Sequence, residues 1–483
     1  MTPRDVTLSR VQSNYRAVGV DFEEAGEKWR AGDAAKSLRF FIRAIDAYDA
    51  GHRKFPRSFD LSYNKARLQY EIAQQPRLLE HLPTPLIELL QTSLDSHRLA
   101  LTIDQDNADL LFNTAQVLTS LAEAISEGKR PSSSPRDEAL SLFQESLELF
   151  QRCLNVQEFK LSQDPEHYTH EAQPPPYADS RSVDNISGSA SNASEEEVWA
   201  SVEEPVTKDN VLDTIMAQLD TLTAICSLGS SHTGLAWIED YNLTTLKDKV
   251  SFYVDGSARQ HEAALAQAKL TCAISDAAFQ DGRLDLPTYE NELNAAFSAL
   301  SDLSTDPQSL CDKADAELAF NASVQVALQR AQPTDMPQLG SVCWKHITRA
   351  LDSLTAASKL PDAQNLPRIH IRRGDCELLR LHMGGALLNY DLAIKSAPTL
   401  LKNAKVFFRG AANLAKRDVG TEEEQNEADV KESIVAGLEG DTKKLLLSAK
   451  TRRNLVESIV GEMRDDGLLG EESLQKIGSI FAL

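Results

Sequence analysis

Three stretches within residues 1–160 repeat one spacing of small and bulky side chains. The residues at the repeated places are Ala44, Tyr48 and Gly51, then Ser93, His97 and Ala100, then Ser146, Phe150 and Cys153. Steps of four and three residues place side chains on one face of an α-helix. Another amphipathic stretch precedes each of them, at 22–31, 62–68 and 110–118. Three such helix pairs in succession predict an array of stacked helical hairpins.

The composition favours helices along the whole chain. Only 6% of the residues are aromatic, whereas 42% are hydrophobic. Alanine, leucine and glutamate support helices better than sheets. A chain of 483 residues also exceeds what one compact core usually organises. We therefore expect an all-α protein with very little strand, built either as an extended array or as two or three domains.

The first helix pair carries the clearest motif. With Gly32 at the turn, Ala44 and Tyr48 follow in the second helix and Pro56 ends the unit. In this register the segment resembles the tetratricopeptide repeat (TPR), a helix–turn–helix of about 34 residues. Its small residue lets two helix backbones approach, and its aromatic residue fills the groove between them. The resemblance implies TPR-like helical-hairpin repeats that form an α–α superhelix, or solenoid.

The chain divides into four stretches. Residues 1–160 are predicted to form an N-terminal TPR-like array, with loops at 74–85 and 127–135. Residues 161–206 have the composition of a disordered acidic linker rich in Pro and Ser. Residues 207–415 are predicted to form a second helical TPR-like array, and 416–483 an acidic segment followed by a C-terminal capping helix. A partner-binding tail is the alternative for that last helix.

The charge and the N-terminus restrict the partners and the compartment. A net charge of −22 and a pI near 4.9 repel nucleic-acid phosphates and anionic membranes, and they attract basic proteins. Acidic surfaces also serve solubility alone, which is the competing interpretation. No signal-like apolar core precedes the first helix, and no stretch is apolar enough to span a membrane. We expect a cytoplasmic or nuclear protein, or one found in both compartments.

No catalytic or metal-binding motif stands out. The six cysteines are scattered, and no histidine pair has the spacing of a helical metal site. The polar cluster around Gly374 and Asp375 is interpreted as a helix–turn boundary with capping residues. We therefore expect no enzymatic activity, no cofactor and no metal.

One peptide-binding mode of TPR proteins is disfavoured. Members with a carboxylate clamp use Lys, Asn and Arg of their first helices to bind the C-terminal carboxylates of heat-shock chaperones. Asn64 and Asn113 stand at clamp-like places, but Gly26 and Asp109 stand where the clamp places lysines. Without those cations an acidic tail binds poorly.

The combination of helical repeats and acidity is similar to dedicated assembly chaperones. It predicts a chaperone or assembly factor for a basic client such as a ribosomal protein or a histone; a structural adaptor subunit of a larger complex is the alternative. The oligomeric state stays open. The candidate partner-binding residues are Asn64, Arg67 and Asn113 on first helices, and Glu195, Glu196, Glu197 and Trp199 in the linker. Packing or hydrogen bonding within the array is the competing interpretation for the first-helix residues, and a simple tether is the competing interpretation for the linker.

Overall fold

A computed structural model describes residues 3–126, 133–163, 205–228, 232–301, 303–328, 336–386, 388–417 and 421–481. Within these ranges the regular secondary structure is helical, and no strand occurs. The expected all-α class is confirmed. No helix in the same ranges has the length and hydropathy that crossing a membrane requires.

The helices run through the described residues with short connections. They are α1 (Pro3–Arg30), α2 (Ala34–Lys54), α3 (Phe59–Ala73), α4 (Pro76–Leu79), α5 (Leu86–Leu101), α6 (Ala108–Ser126), α7 (Ser133–Gln163), α8 (Lys208–Ser227), α9 (His232–Tyr241), α10 (Lys247–Val254), α11 (Gln260–Gln280), α12 (Leu286–Ser298), α13 (Pro307–Leu328), α14 (Met336–Ala357), α15 (Leu366–His382), α16 (Asp391–Ala415), α17 (Glu422–Glu439), α18 (Thr442–Thr451), α19 (Arg453–Asp465) and α20 (Glu471–Phe481). A π-helical turn at Asn242–Leu246 joins α9 to α10. The short helix α4 lies within the predicted loop at 74–85.

Successive helices pack as hairpins, and the hairpins stack. The hairpins are α1/α2, α3/α5, α6/α7, α11/α12, α13/α14 and α15/α16, while α8 packs against α10. The first helix of one unit also contacts that of the next: α1 meets α3, α3 meets α6, α6 meets α8, α8 meets α11, α11 meets α13, and α15 meets α17. We call these helices the first-helix row. The chain is therefore a helical repeat protein with a solenoid-like all-α fold.

The first hairpin is held together by two glycines on α1. A Cβ on Gly26 would lie 2.5 Å from the Phe41 ring, and a Cβ on Gly19 would lie 2.2 Å from the Tyr48 ring. Phe41 and Tyr48 are fully buried because these glycines let α2 approach. Gly32 has no atom within 4 Å of such a Cβ and marks only the turn. The helix also begins at Pro3, well before the predicted Phe22.

A serine–carbonyl hydrogen bond repeats across the first three hairpins. Its donors and acceptors are Ser37 with Gly26 at 2.8 Å, Ser93 with Ala66 at 3.3 Å, and Ser146 with Ala115 at 2.9 Å. Ser37 is therefore the counterpart of Ser93 and Ser146, so that Phe41 and Ala44 correspond to His97 and Ala100. The predicted register for the first hairpin, which began at Ala44, is wrong by seven residues. Seven residues are two helical turns, so both registers occupy the same face.

The stack continues between the helices on either side of residues 164–204. The apolar cluster that contains Phe143 and Leu154 of α7 also contains Leu212 and Leu219 of α8. Thr214 of α8 donates a 2.8 Å hydrogen bond to the Gln157 side chain of α7. These contacts are buried and interhelical, and they resemble those within each hairpin.

The C-terminal helices surround α17. Residues 430–438 of α17 are all buried, and α16, α18, α19 and α20 pack around it. The predicted acidic segment, which begins at Thr421, is the first half of this helix. The basic residues expected on one final helix are divided between α18 and α19. The apolar cluster of this end extends from Leu265 to Ile480.

Candidate functional site

Arg67 ties the first two hairpins together. Its guanidinium pairs with Glu23 of α1 and, at 3.0 Å, with Glu71 on its own helix. Tyr48 donates a 2.5 Å hydrogen bond to the same Glu23. Burial and the neighbouring Glu23 carboxylate raise the pKa of Tyr48, so its hydroxyl stays protonated. Arg67 is thus engaged within the protein, although its side chain is 36% exposed.

Asn113 has a similar internal role on α6. Its side-chain amide donates a 2.9 Å hydrogen bond to the hydroxyl of Tyr63 on α3. Burial, aided by the Asp109 carboxylate, raises the pKa of Tyr63 to about 12. Asn64 is half-buried beside Tyr63 on α3. The structure therefore places Asn64, Arg67 and Asn113 on neighbouring members of the first-helix row.

The predicted linker residues lie outside the described residues. They are Glu195, Glu196, Glu197 and Trp199. Their proposed contacts remain predictions.

The expected turn at Gly374 is wrong. Gly374 lies inside α15, where a Cβ would be 2.5 Å from the Phe408 ring of α16. The next residue, Asp375, accepts a 2.8 Å hydrogen bond from Lys431 of α17. Burial raises the pKa of Asp375, and Lys431 opposes that rise. The polar cluster therefore joins α15 to α17 and does not form a helix boundary. Gly374 lets the Phe408 ring of α16 pack closely against α15.

A group of carboxylates that the residue spacing did not predict lies on α8 and at the start of α13, the two helices that pack against α11. We call Asp220, Asp306 and Asp312 the carboxylate cluster. Asp220 is 3.2 Å from the ammonium of Lys269 on α11. Burial raises the pKa of Asp312, Lys269 lowers it, and the carboxylates of Asp220 and Asp306 raise it further. Lys269 therefore acts on both Asp220 and Asp312, whereas Asp306 accepts a 2.7 Å hydrogen bond from the backbone N–H of Ser309 and lies 3.4 Å from His261.

Other acidic residues extend this surface along the first-helix row. Asp213 of α8 is 2.8 Å from Arg259, and its side chain is 48% exposed. Asp315 of α13 pairs with Arg372 of α15 and is also 48% exposed. The sequence signal was the spacing of Asp209, Asp213 and Asp220, which places all three near one face of a helix. Only the stacking places α8 and α13 against the same helix, α11.

The described residues contain no group of three or more His, Cys, Asp or Glu side chains arranged to hold a metal ion. Burial raises the pKa of the Cys153, Cys226, Cys272 and Cys343 thiols to about 12. Those thiols stay protonated at neutral pH, which suits packing in a core and disfavours nucleophilic chemistry.

Comparisons with known proteins do not show a family for this chain. No protein-family profile matches the chain. Over 141 residues it is 33% identical to the UPF0656 protein C926.02 of Schizosaccharomyces pombe, a match that covers 29% of this chain and 30% of that protein. Among solved structures, it aligns with a circular tandem repeat protein with novel repeat topology and enhanced subunit contact surfaces. That alignment covers 98% of this chain and 92% of the other at 13% identity, with a TM-score of 0.26.

Proposed function

We propose that this chain is a non-enzymatic, TPR-like protein-binding scaffold that acts as a chaperone or assembly factor for a basic client, such as a ribosomal protein or a histone. We place it in the cytoplasm, the nucleus or both. The observation that carries the proposal is the carboxylate cluster, in which Asp220 of α8 is 3.2 Å from the ammonium of Lys269 on α11 and the same lysine also acts on Asp312 of α13. The chain's net charge of −22 adds a long-range attraction for cations.

The physical basis is the imbalance of charge within the cluster. Lysine or arginine side chains of a client would supply the cations that Lys269 alone does not, and they would lower the pKa of Asp312. Such contacts lie near the surface, so each is modest, and several must act together. Asn64, Arg67 and Asn113 would then hold the first-helix row in shape, with their exposed atoms available to the same client.

The proposal is tested with a fluorescently labelled arginine- and lysine-rich peptide. Binding to the full chain should weaken steeply as salt is raised, because exposed charge pairs are screened. The double variant Asp220→Asn and Asp312→Asn should bind the peptide about three- to tenfold more weakly at low salt. A matched control, Asp95→Asn and Asp352→Asn, removes two exposed carboxylates from α5 and α14 and should change little. Equal losses in both variants, or no salt dependence, would contradict the proposal.

The alternative, a structural adaptor subunit, is favoured by an apolar patch on α7 and α10. Phe159 is 63% exposed and Phe252 is 59% exposed. They flank a contact in which the Tyr253 hydroxyl donates to Glu158 at 3.2 Å. Exposed aromatic side chains of this kind mark protein interfaces. An adaptor should capture its partner equally well at low and high salt, and Phe159→Ser with Phe252→Ser should abolish that capture.

A further inference from the structure

One face of α2 forms a cleft lined by cations and an aromatic ring. The lining residues are Lys36, Arg39, Phe40 and Arg43, and the volume is about 200 Å³. Their spacing of three, four and seven residues places them on a single face of the helix. Trp29 of α1 stands beside the cleft, with its ring centroid 3.1 Å from the ammonium of Lys36.

The three cations of this cleft take part in no ion pair within the described part of the chain. Lys36 faces the ring of Trp29, and the Arg43 guanidinium carbon lies 5.8 Å from the ring centroid of Phe40. Arg39 donates only to a backbone carbonyl of its own helix. Aromatic rings hold such cations in place without neutralising their charge.

The neighbouring cations behave differently. Arg30 pairs with Glu71, and Lys65 is 2.6 Å from Asp49. Residues 1–100 contain 15 Lys and Arg against 13 Asp and Glu, a balance of +2, whereas the whole chain carries −22. The cleft is therefore a positive surface on a stretch of the chain that is not acidic overall.

We propose that this cleft is a docking site for an acidic segment of another protein, in which carboxylates are interspersed with apolar side chains. Two guanidinium groups and an ammonium bind carboxylates through charge-assisted hydrogen bonds. The apolar side chains of the segment would pack on Phe40 and on Trp29, which is 41% exposed. The site is distinct from the carboxylate cluster and does not rest on the function proposed above.

The charge distribution favours a short acidic peptide over a nucleic acid. A polynucleotide carries charge along its whole length and meets the repulsion of a chain with a net charge of −22. A peptide places only a few carboxylates near three cations, and it also supplies apolar contacts. A cleft of about 200 Å³ holds one or two side chains, which fits that mode of binding.

The experiment uses the full chain and a short fluorescein-labelled peptide in which glutamate alternates with leucine and glycine. The triple variant Lys36→Gln, Arg39→Gln and Arg43→Gln should bind it at least about tenfold more weakly. A charge-matched control, Lys402→Gln, Arg417→Gln and Lys450→Gln, removes three exposed cations elsewhere and should bind normally. Circular dichroism should show equal helicity in all three proteins, and the basic peptide used above should bind the triple variant as tightly as the parent.

Three outcomes would overturn the inference. In the first, the parent does not bind the acidic peptide. In the second, both triple variants lose binding equally, which would indicate a non-specific charge effect. In the third, a labelled single-stranded oligonucleotide binds more tightly than the peptide and loses binding in the α2 variant, which would assign the cleft to nucleic acid. A cleft variant that also loses the basic peptide would show damage to the fold, and Phe40→Ser alone then tests the cleft.

Discussion

The hairpins α1/α2 and α15/α16 use the same packing device but are tied to their neighbours in different ways. In each, a glycine of the first helix meets an aromatic ring of the second, Gly26 with Phe41 and Gly374 with Phe408. The α1/α2 hairpin is joined to the next by Arg67, whose side chain is 36% exposed. The α15/α16 hairpin is joined to α17 by Lys431, whose side chain is 5% exposed. The glycine–aromatic contact is thus the same in both hairpins, but the cation that joins the hairpin to its neighbour is partly exposed in one and buried in the other.

The buried ion pair between Lys431 and Asp375 should contribute most to stability. Lys431→Met leaves Asp375 without its partner in a buried site and should destabilise the fold by about 3–5 kcal/mol. The measurement is urea unfolding followed by circular dichroism. The double variant Lys431→Met and Asp375→Asn should recover part of the loss, because Asp375 is then uncharged and Glu427, the other partner of Lys431, keeps its ion pair with Arg368. Lys65→Met is the comparison, because its ion pair with Asp49 is partly exposed. If Lys431→Met lost no more free energy of unfolding than Lys65→Met, burial would not strengthen the ion pair at the C-terminal end.

The second hairpin should make stability depend on pH. His97 occupies the place that Phe41 and Phe150 take in its neighbours, and burial lowers its pKa from 6.5 to about 4. Between those pH values the unfolded chain binds a proton that the folded chain does not. The free energy of unfolding should therefore be highest above pH 6.5 and should fall by about 3 kcal/mol as the pH drops to 4. His97→Phe should flatten this dependence in urea titrations, and an unchanged pH profile would show that His97 does not cause it.

Substituting the close-packed glycine should destabilise both hairpins to a similar extent. Gly26→Ala and Gly374→Ala each place a Cβ 2.5 Å from an aromatic ring, so each should cost about 1–3 kcal/mol. Gly32→Ala is the matched control, because its Cβ would meet open space, and it should be neutral or slightly stabilising. Thermal unfolding of the three variants measures the difference. If Gly32→Ala lost as much thermal stability as Gly26→Ala, that result would indicate that the two helices cross near the turn.

The exposed tie should have the smallest effect. Arg67→Met breaks the pairs with Glu23 and Glu71 near the surface, where solvent compensates the charges, and should cost about 1 kcal/mol or less. The effect should shrink further in high salt. Urea unfolding at low and high salt measures both. A loss as large as that of Lys431→Met would show that exposure does not govern the strength of these ties.

The sequence predicted the elements better than their roles. The steps from Ser93 to His97 and Ala100 correctly placed one face of α5 in the core. The first hairpin was assigned seven residues late, because Tyr48 and Phe41 stand two helical turns apart and both suit the motif. Gly374 was read as a turn because glycine is common at helix ends; close packing against a ring is an equally good reason for it, and one sequence alone does not distinguish the two.

In the candidate site, too, the positions of residues on helices were predicted but their contact partners were not. Arg67 and Asn113 were predicted from their places on first helices, and both do lie on that row, but their hydrogen bonds go to Glu23 and Tyr63. Those partners are 44 and 50 residues away, so helical spacing does not reveal them. The carboxylate cluster escaped prediction for the same reason, because Asp220 and Asp312 come near the same Lys269 only through the stacking of α8 and α13 on α11.

The sequence by itself determined the helices, their amphipathic faces and the net charge, because these depend on residues a few positions apart or on composition alone. Only the tertiary structure decided which glycine meets which ring, which ion pairs are buried, and where carboxylates or cations gather on the surface. These depend on how far each hairpin shifts along its neighbour, and that shift is set by side chains about 40 to 60 residues apart in the chain.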